Sequence, residues 1–211
     1  MKEESIRIAR HVLAGRWGDV VVLDTETTGI DTGAEIIEFA AYDIRKGRMM
    51  SSLFRPVSNV PPNVEELTGI TQKMLVDEKP VRDYELQIKN MLGGKVWVGY
   101  NVAFDLRILH QTFLIHGIKF PPIPLVMVDV MLLASNVIQV YNSIGEYKWW
   151  KLAEACDRLG VIPESEYHRA MADVVATLNL LRAIADLEIE GDHTKDMTNV
   201  TTQKSEDTLY L

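Results

Sequence analysis

Three short segments of the chain carry residues that could do chemistry together. Asp24 and Glu26 stand two apart at the end of a compact apolar run, Asp19-Val-Val-Val-Leu-Asp24. Side chains alternate across a strand, so residues two apart project from the same face. Two carboxylates on one face repel, and burying them unpaired is costly. A divalent cation resolves the conflict, and hard oxygen ligands suit Mg²⁺ or Mn²⁺. Taken alone, the Asp-x-Glu pair also reads as a strand end dissolving into the polar turn Thr27-Thr28-Gly29. Asp105 falls in the first turn of an expected helix, where the helix dipole favours an acid with or without function. His168 and Asp173 open a long apolar helical pattern. Five helical residues advance about 500°, which leaves these two roughly 140° apart on a regular helix. They converge only if His168 sits on a loop before the helix, and Pro163 with Glu164-Ser165-Glu166 makes such a loop plausible.

The elements that would position these residues follow from periodicity. Ile6, Ala9, Val12 and Leu13 give residues 3–14 an amphipathic helical spacing. Strands are expected at Asp19–Asp24, Glu35–Ile44 and Arg48–Phe54, with Lys46-Gly47 turning between the last two. The proline-rich stretch 56–80 is irregular, with short helices around residues 63–67 and after Thr71. Residues 81–92 read as a helix ended by Gly93-Gly94. A strand at Lys95–Tyr100, a helix at 103–116, a turn at Pro121–Pro124 and a strand at Leu125–Val128 follow. Helices are expected at Trp150–Leu159 and Tyr167–Leu187. Three strands in succession, then strands alternating with helices, imply an α/β fold with a mixed sheet flanked by helices.

Asp-x-Glu on a first strand, Asn101-x-x-Phe104-Asp105 at a later strand–helix junction, and His168-x-x-x-x-Asp173 opening a long helix resemble the DnaQ-like proofreading exonucleases of the DEDDh group, in content and in order. The resemblance covers about residues 19–186. The wording Asp-Thr-Glu-Thr-Thr-Gly is similar to that of polymerase III epsilon-type domains. Glu35-Ile-Ile-Glu-Phe-Ala resembles the family's second strand. Leu67-Thr68-Gly69-Ile70-Thr71 resembles a loop usually written His-Gly-Ile-Thr, with Thr68 replacing His. Val128-Asp129 resembles an Asp-Thr strand end, with Val130 replacing Thr, and Tyr100 stands where many members have His. The resemblance implies a ribonuclease H-like mixed five-stranded sheet flanked by helices. An N-terminal helix would occupy residues 1–18, the exonuclease domain 19–188, and a polar, disordered tail 189–211.

It also implies two-metal hydrolysis of phosphodiesters, releasing nucleoside 5′-monophosphates from a 3′ end. Asp24, Glu26, Asp105 and Asp173 would hold two Mg²⁺ ions, replaceable by Mn²⁺, with Asp105 acting through a water. His168 would be the general base, a task that suits histidine. Thr27, Thr28, Gly29, Ile30, Ile70, Tyr100, Asn101 and Phe104 would contact substrate, the apolar ones among them also fitting plain core positions. The substrate would be single-stranded 3′ ends of DNA in proofreading or repair. Alternatives are an RNA-trimming exoribonuclease of the same superfamily and a non-catalytic polymerase-binding subunit. No polymerase domain is recognised in the sequence, so a proofreading role implies a polymerase or sliding clamp in trans. The ending Asp207-Thr-Leu-Tyr-Leu211 faintly resembles clamp-docking peptides.

Composition sets limits on the mode of binding. A formal net charge of −8 argues against gripping long duplex DNA through many phosphates. It leaves room for an enzyme that holds only the last nucleotides of a strand. Cys156 is the only cysteine, which excludes an internal disulfide and fits a reducing, cytoplasmic setting. No apolar run is long enough to span a membrane, and the N-terminus lacks the apolar stretch of a signal peptide. Trp149-Trp150 reads as a core or helix-docking pair, and Glu38 and Asp129 as acids supporting the site or merely ending strands.

Overall fold

The computed structural model describes residues 1–119, 123–124, 126–162 and 168–189. The expected loop at residues 163–166 and the tail from residue 190 onward lie outside them. Helix α1 spans Lys2–Leu13, β1 Val20–Thr27, β2 Ile36–Asp43 and β3 Arg48–Leu53. Two short helices, α2 (Pro62–Thr68) and α3 (Gln72–Leu75), precede a 3₁₀ turn at Val81–Tyr84 and α4 (Glu85–Leu92). Then come β4 (Val96–Gly99), α5 (Val102–Ile115), β5 (Met127–Asp129), α6 (Val130–Ile138), α7 (Leu152–Arg158) and α8 (Ala170–Asp186). The five strands form one mixed sheet in the order β3-β2-β1-β4-β5. β1 pairs antiparallel with β2 and parallel with β4. This is the α/β sheet flanked by helices that the pattern of elements implies.

The alternation of β1 organises the molecule. Val20 and Val22 face a core shared with α1, α6, α7 and α8. Val21 and Leu23 face a second core with α4 and α5, where Trp97, Phe39 and Phe113 are fully buried. Helix α1 docks on α8 through Ile6, Ala9 and Val12. Arg10 locks that contact, its guanidinium donating to the carbonyls of Ala185 and Leu187, each at 2.9 Å. At the far end of the sheet, Lys95 and Asp43 form a buried ion pair at 2.6 Å.

Several boundaries differ from expectation, each for a local reason. β1 continues to Thr27 because β2 keeps pairing with it as far as Ile36, across a bulge between Glu26 and Thr27. Residues 81–92 are not one helix. Pro80 leads into a 3₁₀ turn, and the α-helix starts only at Glu85. The fifth strand sits later, at Met127–Asp129, in register with Trp97–Gly99. Helix α7 begins at Leu152 rather than Trp150, with Glu154 accepting the Lys151 amide at 3.2 Å.

Candidate active site

The parity of β1 decides which helix each acid meets. Asp24 and Glu26 continue the series Val20, Val22 and so face α8. Thr25 continues Val21, Leu23 and faces α5. Asp173, in the first turn of α8, meets the acids of β1. Asp24, Glu26 and Asp173 each offer an oxygen, and these oxygens lie within 4.8 Å of one another. Asp105, in the first turn of α5, accepts a hydrogen bond from the Thr25 hydroxyl at 2.8 Å. It stands close enough to Asp24 to disfavour its ionisation. The four acids therefore gather at one end of β1, from three separate elements.

The backbone at that end is built for close approach. Gly99 ends β4 where a Cβ would lie 3.0 Å from Val102 Cβ and 3.2 Å from the Leu23 carbonyl. Asn101 follows in the left-handed region at φ 64°, which Asn tolerates better than most residues. Its amide is held by Asp129 Oδ1 at 2.9 Å, and the same oxygen caps α6 through the Met131 amide at 3.0 Å. These constraints turn the chain sharply into α5 and deliver Asp105. Asp129 is thus a brace between two helix starts.

The electrostatics follow from crowding. Burial, then the charges of Asp105, Asp173, Glu26 and Glu38, push Asp24 well above the usual carboxylate range. Burial, with the charges of Asp173, Glu38 and Asp105, lifts Glu26 to about 8. Burial lifts Asp105 to about 7 despite its bond from Thr25. Asp173 is raised by burial too, though the charge and the amide of His168 oppose the shift. Asp173 Oδ1 is buried with no hydrogen-bond partner. Unpaired acids at this spacing, with an unsatisfied carboxylate oxygen, fit a divalent cation with oxygen ligands.

His168 lies outside α8, in the left-handed region at φ 68°, with its side chain exposed. It is near enough to Asp173 to favour that group's ionised form. The steric obstacle raised by a shared helix therefore does not arise.

A model of the exonuclease family matches residues 21–181, most of the chain. The chain belongs to the exonuclease family, of the DnaQ-like DEDDh type. It is 29% identical to the uncharacterized exonuclease CP81 of Escherichia phage 186, over 82% of this chain and 92% of that one. It is 28% identical to the PolC-type DNA polymerase III of Mycoplasmopsis pulmonis, over 88% of this chain. That match spans only 13% of the polymerase. The structure is similar to that of exonuclease X in complex with 5′ overhanging duplex DNA, with a TM-score of 0.58 and 25% identity. The similarity covers 78% of this chain and 90% of that one.

The expected contacts of this exonuclease divide in two. Ile30 is 81% exposed at the tip of the loop after β1, which α5 holds through Arg107 on the Ile30 carbonyl at 3.1 Å. Asn101 is exposed and Phe104 half-buried, with Arg107 over its ring at 5.1 Å. Thr27 and Thr28 are buried, the Thr28 hydroxyl accepting the Glu35 amide at 2.9 Å. The Tyr100 hydroxyl donates to the Trp150 carbonyl at 2.7 Å. Ile70 corrects the expectation. It is fully buried among Ile37, Val60, Val64 and Leu75, so it holds its loop to the sheet and presents nothing to a substrate.

The partners of two acids, Glu38 and Glu35, escaped the sequence. Glu38 lies opposite Glu26 in the β1–β2 register and is buried. Its carboxylate accepts Arg169 Nε at 3.1 Å, Arg169 Nη2 at 2.8 Å and the Ala170 amide at 2.9 Å. One side chain therefore fixes both the residue after His168 and the start of the helix that bears Asp173. The signal was parity, because Glu38 shares the face of Ala40 and Ala40 lines the α8 core. Glu35, on the opposite face, binds the amides of Val57 and Ser58, the Ser58 hydroxyl and His116. Burial opposes its ionisation, yet these donors hold it at about 2.

Proposed function

We propose that the chain is a metal-dependent 3′→5′ exonuclease acting on single-stranded 3′ ends of DNA and releasing nucleoside 5′-monophosphates. The observation that carries this reading is the cluster of Asp24, Glu26 and Asp173 with its unpartnered carboxylate oxygen. DNA is favoured by the duplex DNA held by exonuclease X and by the similarity to PolC-type DNA polymerases. A polymerase or sliding clamp acting in trans is the matching proposal for its partners.

Asp24, Glu26 and Asp173 would hold Mg²⁺ or Mn²⁺, with Asp105 beside them supporting a second ion. Bound metal supplies positive charge for the phosphate oxygens and acidifies the attacking water. His168, free of the helix and exposed, takes the proton from that water. The Glu38–Arg169 fork holds the segment from which His168 projects. Ile30 offers an apolar edge against the terminal base, while Phe104 and Asn101 line the approach. The turn Thr27-Thr28-Gly29 presents backbone groups to the terminal sugar.

The test is hydrolysis of 5′-labelled single-stranded DNA, mismatched duplex and RNA of matched sequence, with Mg²⁺ or Mn²⁺ and with EDTA. Metal-dependent shortening from the 3′ end of DNA, abolished in Asp24→Asn, is expected. Preference for the RNA strand would move the substrate assignment to RNA. Full activity in Asp24→Asn or in EDTA would remove the metal site.

A further inference from the structure

The adjacent tryptophans part company in the structure. Trp150 is 5% exposed in the core beneath α6 and α8, whereas Trp149 is 68% exposed. Trp149 ends a small hairpin between α6 and α7. The hairpin closes through an antiparallel bridge between Tyr141 and Tyr147. The Asn142 amide donates to the Glu146 carbonyl at 2.7 Å and the Lys148 amide to the Val140 carbonyl at 2.8 Å. Asn142 Oδ1 accepts the Ile144 and Glu146 amides, each at 3.0 Å. The Tyr141 and Tyr147 rings stack at 4.9 Å with 30° between their planes, and Tyr141 is 62% exposed.

Three contacts hold Trp150, the neighbour of this exposed surface. Lys148 Nζ and Arg158 Cζ lie over the Trp150 ring at 4.0 and 3.9 Å. The Trp150 carbonyl accepts the Tyr100 hydroxyl at 2.7 Å. Tyr100 directly precedes Asn101, the residue that turns β4 into the helix bearing Asp105. The exposed rings are thus tied to the rim of the acidic site by a neighbour that is itself immobilised in the core.

Resting on the exonuclease reading, we propose that Trp149 and Tyr141 form a stacking platform for bases of the substrate strand upstream of its 3′ end. A nucleic acid strand is the occupant because the Tyr100–Trp150 hydrogen bond ties the end of the hairpin to the segment that leads into the acidic site, and every base has a face to stack. Lys148, Lys151 and Arg158 are matched here by Glu146, Glu154 and Asp157. Stacking, not phosphate charge, therefore supplies the hold, so the contribution is tolerant of sequence and weakly dependent on salt.

The experiment compares Trp149→Ala, Trp149→Phe and Tyr141→Ala with the parent chain. It measures hydrolysis of the p-nitrophenyl ester of thymidine 5′-monophosphate and of a long oligodeoxythymidylate. Affinity for the same labelled oligonucleotide is measured by anisotropy in the Asp24→Asn background. Trp149→Ala is expected to raise KM and Kd for the oligonucleotide by roughly 5- to 150-fold, the equivalent of about 1–3 kcal/mol per stacked base. Ester turnover stays at the parent rate, and Trp149→Phe recovers most of the loss. Unchanged oligonucleotide affinity in both alanine variants overturns the platform, leaving these rings to some other partner. Equal losses on ester and oligonucleotide overturn it too. A parent chain that binds the oligonucleotide through Trp149 yet hydrolyses neither substrate would defeat the exonuclease reading and keep the platform.

Discussion

Raising the pH of the metal-free protein should destabilise it, and Mg²⁺ should restore what is lost. Glu26 is held at about 8 and Asp105 at about 7 in the folded chain, against ordinary values of 4.5 and 3.8. Both are raised, so the folded state binds protons that the unfolded chain has already released. Their stabilisation is present in full at acid pH and disappears as pH climbs through the folded values. Between pH 6 and pH 8 the loss integrates to about 2 kcal/mol for Glu26 and about 1 kcal/mol for Asp105. For a chain of 211 residues, roughly 2–4 °C accompany each kcal/mol. The melting temperature in EDTA should therefore fall by about 6–12 °C across that window.

A divalent ion binds the ionised cluster, so its stabilising effect must grow in the opposite direction. Melting curves with and without Mg²⁺ should converge near pH 6 and separate by pH 8. Glu26→Gln should flatten the pH dependence in EDTA and shrink the separation. Glu35 provides an internal contrast. Held at about 2, it contributes stability above its ordinary value near 4.5 and loses it only as pH falls toward 2. A metal-free melting temperature that holds steady or rises from pH 6 to pH 8 would refute the reasoning. So would a Mg²⁺ increment that is the same at both ends of the range.

His168→Ala should slow turnover by about 10²–10⁴-fold while the Mg²⁺ increment in melting temperature persists, measured by single-turnover hydrolysis and thermal scans. Glu38→Gln should lower kcat roughly tenfold through misplacement of the His168–Arg169 segment, with KM for the oligonucleotide little changed. In a His168→Ala background the same substitution should cost little more, and an additive loss would assign Glu38 a role apart from His168. Gly99→Ala should destabilise the fold by about 1–3 kcal/mol, read as a lower urea midpoint, because its Cβ would press on Val102 and the Leu23 carbonyl.

How much of this was legible in the sequence depends on whether a contact is set by local periodicity or by a distant partner. The Asp24–Glu26 pair needed only the two-residue repeat of a strand, and Asp105 only a strand–helix junction. The placement of His168 before α8 followed from the pitch of a helix, which keeps residues five positions apart off a common face. The Glu38–Arg169 fork could not be read this way. Its partners are 131 residues apart, and a buried acid with an arginine is visible only when β2 is laid beside α8. Ile70 misled because its loop wording resembles a substrate-contacting segment, while its side chain answers to the small core beneath it.

The tryptophan pair shows where such reading stops. Consecutive residues leading into a helix cannot both point into one core, so burial preference alone could settle only one of them. Trp150 takes the inward place, where it packs beneath α6 and α8. Trp149 is left in water, as is Tyr141 in the adjoining hairpin, a costly arrangement unless something covers the rings. The same asymmetry makes sense of the acidic chain. With a net charge of −8, little affinity for a polyanion comes from long-range charge. A strand on such a chain would be held by metal at its end and by stacking along its bases, so the proposed site and platform would answer a single electrostatic constraint.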